Sequence, residues 1–117
     1  MNYLMIGAIS GCLVVVMGAF GAHALKDILD DYGQSIYNKA VLYHMFHSIA
    51  LLMLGLINKI QPDNQLSIVG WSFLFGIILF SGSLYILAIT GIKPLGMITP
   101  IGGILFIIGW IVLFLKV

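Results

Sequence analysis

The chain contains no arginine and no glutamate, a single cysteine and three prolines, and charged residues fill only 8% of its 117 positions. Five lysines stand against four aspartates, for a net charge of +1. There is no basic field to draw in a phosphate backbone and no acidic tail, which excludes nucleic-acid binding. Cys12, being alone, can form neither an internal disulfide nor a thiolate-rich metal site, and it is read as a small packing residue. What the chain has in quantity is apolar mass. Its 62% hydrophobic content and mean hydropathy of +1.16 exceed what a water-facing surface can absorb. It is therefore read as an all-α integral membrane protein, one domain over residues 1–117.

The charges fall in few places: Lys26, Asp27, Asp30, Asp31 and Lys39, then Lys59 and Asp63, then Lys93, then Lys116. Between them lie four uncharged segments, at about residues 2–25, 40–58, 66–90 and 97–115. Each is near the ~20 residues an α-helix needs to cross ~30 Å of hydrocarbon. Unpaired backbone groups cannot be left in lipid, and the runs show no two-residue alternation, so a four-transmembrane-helix bundle is expected rather than a barrel. Ala22-His23-Ala24 has the small-x-small outline of a signal-peptidase site. The apolar run before it is longer than a usual signal core and no Lys or Arg precedes it, so the first span is expected to be retained.

The first loop carries a pattern of its own. Leu25, Ile28, Leu29, Tyr32 and Ile36 recur at helical spacing, with Asp27, Asp30, Asp31, Gln34 and Asn38 opposite. That predicts an amphipathic interfacial helix over about residues 25–38, lying at the headgroups, broken near Gly33 and recapped by Ser35. Four spans put both termini and the Lys59 loop on one side, here side A, and the 26–39 loop and the Lys93 turn on side B. The lysine counts, two on A and three on B, are evened by the amine of Met1, so the positive-inside rule favours neither orientation. Tyr3, Trp71 and Trp110 near side A, and Tyr32, Tyr37 and Tyr43 near side B, are placed as aromatic belts.

Counting inward at ~1.5 Å per residue gathers the polar side chains in the side B half. His23 closes the first span, Tyr43, His44 and His47 enter the second, Ser81, Ser83 and Tyr85 lie in the third, and Thr99 opens the fourth. The A half has only Ser10, Cys12, Ser67 and Ser72, mostly near span ends. Polar groups inside a membrane usually face the bundle interior or a wet cavity, so His47, Tyr43, Ser81, Ser83, Tyr85, Thr99, His23 and His44 form a candidate polar pocket. Such a cluster can lock helices together by hydrogen bonds. It can hold a small ligand, a lipid headgroup or a quinone-like molecule, it can bind a metal or haem through its histidines, or it can handle protons. No HExxH spacing or carboxylate-supported triad appears, so neither metal nor cofactor is assigned. All four aspartates lie in loops, which weakens a coupled transporter, and Phe80-Ser-Gly-Ser contains no GxSxG elbow, so no catalytic set is assigned.

Glycine describes the packing. Gly7, Gly11, Val14, Gly18, Gly21 and Leu25 follow one seam of the first span, and Gly102 and Gly109 share a face of the last. Small-residue seams let helices approach closely, within one chain or between two, so a homo-oligomer or a membrane-protein partner is open. His23 lies roughly opposite the first seam.

Gly18-Ala-Phe-Gly-Ala-His23, Tyr43 with His47, Phe80-Ser-Gly-Ser-Leu-Tyr85, Thr99-Pro-Ile-Gly-Gly103 and Gly109-Trp110, in that order along nearly the whole chain, resemble the YgdD/YwdK family. That family comprises small bacterial inner-membrane proteins classed as a domain of unknown function, with eukaryotic relatives. The resemblance implies a four-helix multi-pass protein of the cell membrane and brings no established activity. His44 lies outside the family pattern, where a glutamine can stand, so the resemblance points to His23 and His47 as the leading site histidines. The expected role is a non-catalytic interaction or accessory subunit. A small-molecule or ion transporter or ligand carrier using the same cluster is the alternative, and a histidine-based metal or haem binder is the third.

Overall fold

The computed structural model describes every residue from Met1 to Val117. It contains four helices long and apolar enough to cross a membrane: α1 (Tyr3–His23), α2 (Asp31–Ile60), α3 (Ser67–Thr90) and α4 (Thr99–Lys116). Their ends are set by local chemistry. The Asn2 side chain accepts from Met5 N at 3.0 Å and Asp30 accepts from Gly33 N at 2.6 Å, each satisfying a first-turn donor. A 3-10 turn at Pro62–Asn64 and left-handed Gln65 reverse the chain between α2 and α3. Gly91, at φ 70°, ends α3 in a left-handed conformation that costs glycine little. A second 3-10 turn, Lys93–Met97, leads into α4, whose Pro100 sits in the first turn where no backbone bond is lost.

The separate interfacial helix expected at 25–38 is corrected. Residues after His23 form a short turn, with Leu25 buried, and Asp31–Asn38 are the opening turns of α2 itself. Asp30, not Ser35, supplies the cap, and Gly33 is helical, tucked against the Ala88 carbonyl of α3. The polar and apolar residues had the right period but belonged to a longer helix. At 30 residues α2 is ~45 Å long, so its first turns project past the hydrocarbon on side B. Ile28 and Tyr32 remain exposed at that level.

Helices α2 and α3 form the middle of the molecule, and α1 and α4 flank it. The share of buried residues in the spans is 44% for α2 and for α3 but 17% for α1 and for α4. The outline is flattened, 48 × 26 × 17 Å. Glycines make the close packing possible. On α1, Gly7 lies against Leu52, Gly18 against Val41 and Gly21 against the Tyr37 ring, while Gly55 of α2 receives Leu4. Between α3 and α4, Gly76 receives Phe106, Gly109 receives Phe73, and Gly102 lies on the backbone of Phe80. Thus Gly7, Gly18, Gly21, Gly102 and Gly109 serve contacts within the chain. Gly11 departs from the expected seam, since a side chain there would meet open space.

Helix α3 is not a regular α-helix. Ile77–Ser81 form a π turn, with Gly82 N bonded back to Ile77 O. Two apolar clusters fill the interior, one around Leu51, Leu54, Val69 and Phe73 toward side A, the other around Tyr37, Ala40, Leu84 and Tyr85 toward side B.

Candidate functional site: two histidines on one helix

His44 and His47 are both on α2 and both buried, 5% and 3% exposed. They face different neighbours. His44 turns toward α1 and α3. Its Nδ1 lies 2.9 Å from the Tyr85 hydroxyl and its Nε2 3.1 Å from Ser10 Oγ. Ser10 Oγ is 2.6 Å from Ser48 Oγ, and Ser48 donates to the His44 carbonyl at 2.8 Å. Donors and acceptors then follow in sequence. The Ser48 proton is committed to the carbonyl, so Ser10 must donate to Ser48. Ser10 in turn accepts from His44 Nε2–H, leaving Nδ1 as the acceptor for Tyr85 O–H. Tyr85–His44–Ser10–Ser48 is a closed, fully directed chain that ties α1, α2 and α3 together. Tyr37 packs beside it, its ring 5.1 Å from that of Tyr85, and donates its hydroxyl to the Met17 carbonyl of α1.

His47 turns toward α4. Its Nδ1 donates to the Tyr43 carbonyl at 2.8 Å, and its Nε2 accepts from the Trp110 indole N–H at 3.0 Å. A carbonyl can only accept and an indole N–H can only donate, so His47 is the Nδ1–H tautomer, the opposite of His44. Its ring lies flat on Phe106, with centroids 3.6 Å apart and planes 10° from parallel. Every ring nitrogen of the two histidines is thus engaged by a partner within the chain.

Beside His47 a groove of about 650 Å³ opens sideways between α2 and α4. Six of its eleven lining residues are aromatic: Tyr43, Phe46, His47, Phe80, Phe106 and Trp110. Tyr43 is half-exposed at its edge.

The remaining polar residues act as local ties. Ser81, the last residue of the π turn, donates to the Ala40 carbonyl of α2 at 2.8 Å. Ser83 donates to Phe80 O at 3.0 Å and meets Thr99 Oγ1 at 2.6 Å, joining α3 to the start of α4. The eight residues expected in one pocket are therefore divided. His44 and Tyr85 share one network, Tyr43 and His47 line the groove, and Ser81, Ser83 and Thr99 stitch α3 to its neighbours. His23 joins none of them. It is exposed at the end of α1, apart from both His44 and His47. No three His, Cys, Asp or Glu side chains converge anywhere.

Three contributors lay outside the expected pocket. Ser48 is four residues after His44 and so shares its helix face, a signal the spacing already held. Ser10 was assigned to the A half by depth, yet it meets His44. Trp110 was assigned to the aromatic belt but spends its N–H on His47. Tyr3 and Tyr37 also leave the belt, since both are buried.

Residues 17–103 match the family described as "Protein of unknown function (DUF423)". The chain belongs to this DUF423 family. It is 50% identical over 111 residues to a UPF0382 membrane protein of Staphylococcus epidermidis, covering 95% of this chain and 90% of that one. It is likewise 50% identical over 111 residues, with the same coverage, to the UPF0382 membrane protein SAB0533 of Staphylococcus aureus. The UPF0382 membrane protein YwdK of Bacillus subtilis is 43% identical over 112 residues, 95% of this chain and 91% of that one. No solved structure matches. The DUF423 relatives are named as membrane proteins, in agreement with the four spans, and the resemblance to the YwdK group holds. The DUF423 match includes His44, His47 and Tyr85, while Ser10 and Trp110, their partners on α1 and α4, lie on either side of it.

Proposed function

We propose that the protein is a non-catalytic membrane component whose polar interior is a lock and whose work is done by its lateral, lipid-facing surface, in contact with another membrane protein or a second copy. The observation that carries this is that no buried side-chain nitrogen or oxygen lacks a partner within the chain. A transport path needs polar groups free to exchange protons, ions or solute. Here the Tyr85–His44–Ser10–Ser48 chain ends on the carbonyl of His44 itself, and the aspartates lie in the turns or, for Asp31, at the projecting first residue of α2. The hydroxyls also lack a neighbouring carboxylate or a free base, which disfavours acyl-transfer or hydrolytic chemistry.

The test is reconstitution into liposomes under an imposed pH or ion gradient, with His44→Leu alongside. The reading expects no flux above empty vesicles for either protein, and an earlier unfolding midpoint for the variant. Flux in the wild type that vanishes in a folded His44→Leu protein would replace it with the transporter reading.

A further inference from the structure

Three lateral hollows indent the lipid-facing surface, and they differ in what lines them. The one between α1 and α2, about 240 Å³, is walled by Val14, Val15, Val41, Met45, Ile49 and Leu52. The one between α1 and α3, about 410 Å³, has branched aliphatic walls, Ile6, Ile9, Leu13, Ile77 and Ile78, over a floor of Ser10, His44 and Tyr85 whose polar atoms are bonded to one another. Walls of this kind suit flexible acyl chains. The groove beside His47 is the largest of the three and the one built from rings. His47 and Phe106 stack on each other at its floor, and Tyr43, Phe46 and Trp110 present open ring surface to the groove. Flat faces gain little from a mobile hydrocarbon chain and most from a flat conjugated ring, which stacks on them in offset geometry.

Polarity is placed to match. Deep in the groove every donor is spent, because the Trp110 N–H goes to His47 and His47 Nδ1–H to the Tyr43 carbonyl. The Tyr43 hydroxyl, at the half-exposed edge nearest side B, has no partner in the chain. A ligand with its polar head at Tyr43 and an apolar tail running inward past Ile104 and Ile107 would satisfy both ends. Gly103 supplies the width, since a methyl group there would meet only the Phe80 ring, at 3.7 Å. We propose that the aromatic groove between α2 and α4 binds a membrane-soluble quinone-type molecule, its ring stacked against Tyr43, a ring carbonyl accepting the Tyr43 O–H, and its isoprenoid tail lying along α4. The groove volume falls in the ordinary range for small-molecule sites.

The experiment uses the full chain in nanodiscs with Trp71→Phe, so that Trp110, in the groove wall, is the only indole, and titrates decylubiquinone, which quenches indole emission on contact. Saturable quenching is expected. Tyr43→Phe should raise the midpoint three- to tenfold, about the worth of one hydrogen bond. Gly103→Leu should abolish the saturable phase. Should Gly103→Leu misfold, the Tyr43→Phe arm stands alone, because the hydroxyl it removes touches no protein group. Quenching that rises linearly, equal in all variants, would mean simple partitioning and overturn the proposal. So would quenching by acyl-brominated phosphatidylcholine that decylubiquinone does not relieve, or a dimer that Gly103→Leu dissolves, since these give the groove to lipid or to a second copy. Failure here would leave the locked-core reading standing, because Tyr43 and Gly103 contribute no side chain to that lock.

Discussion

His44 and His47 are one helical turn apart, equally buried, and chemically the same, yet one closes a network and the other opens a groove. The difference lies in what each neighbour can give. Hydroxyls on α1 and α3 both donate and accept, so around His44 they join into a chain that returns to its own helix. The indole and the carbonyl around His47 each do one thing, so that network stops after one bond on either side and the remaining surface is hydrocarbon. Buried histidines in a bilayer are thus best interpreted through the donor capacity of the facing helices and not through their own depth.

Several substitutions would break or sharpen this contrast. Gly102→Leu carries the largest expected effect. Its side chain would collide with the Phe80 backbone, wedge α4 away from α3 and cost about 3 kcal/mol in mixed-micelle unfolding, dismantling the groove while leaving Tyr85–His44–Ser10–Ser48 together. His44→Leu should cost about 2 kcal/mol by the same assay, since it strands the hydroxyls of Tyr85 and Ser10. His44→Gln, which keeps a donor and an acceptor, should recover roughly half of that loss. His47→Leu is expected to cost only about 1 kcal/mol, because it strands a single indole N–H on a residue 38% exposed, and it should shift Trp110 emission. A larger loss at His47 than at His44 would reverse the contrast. Tyr43→Phe should stay within about 0.5 kcal/mol of wild type, its hydroxyl being unpaired in the chain.

Much of the fold was legible in the sequence because the bilayer imposes one length on every span, and charge-free runs mark that length directly. The loop helix was misplaced for a physical reason. Periodicity reports that residues 25–38 are helical in pattern but not whether the helix stops, and Asp30 and Ser35 are equally able caps on paper. The site was less legible. Depth counting grouped eight polar residues at one level, but level says nothing of azimuth, and azimuth separates His44 from His47 and sends His23 to the surface. The π turn was invisible, since Ile77 to Phe80 is uniformly apolar and would suit either helix type.

That wide turn has a consequence for how the chain can vary in length. Between Ile77 and Ser81 α3 carries one residue more than an α-helix would need to cover the same rise. Deleting a single residue there would let regular α winding resume with Gly82 to Thr90 still on their present faces, whereas a deletion in the α-helical turns before it would rotate that stretch by about 100°. Tyr85 would then swing away from His44, and Ser83 from Thr99, toward acyl chains that offer them nothing. The turn is where α3 tolerates a change of length, and the turns before it are where its residue count is constrained as tightly as its polarity.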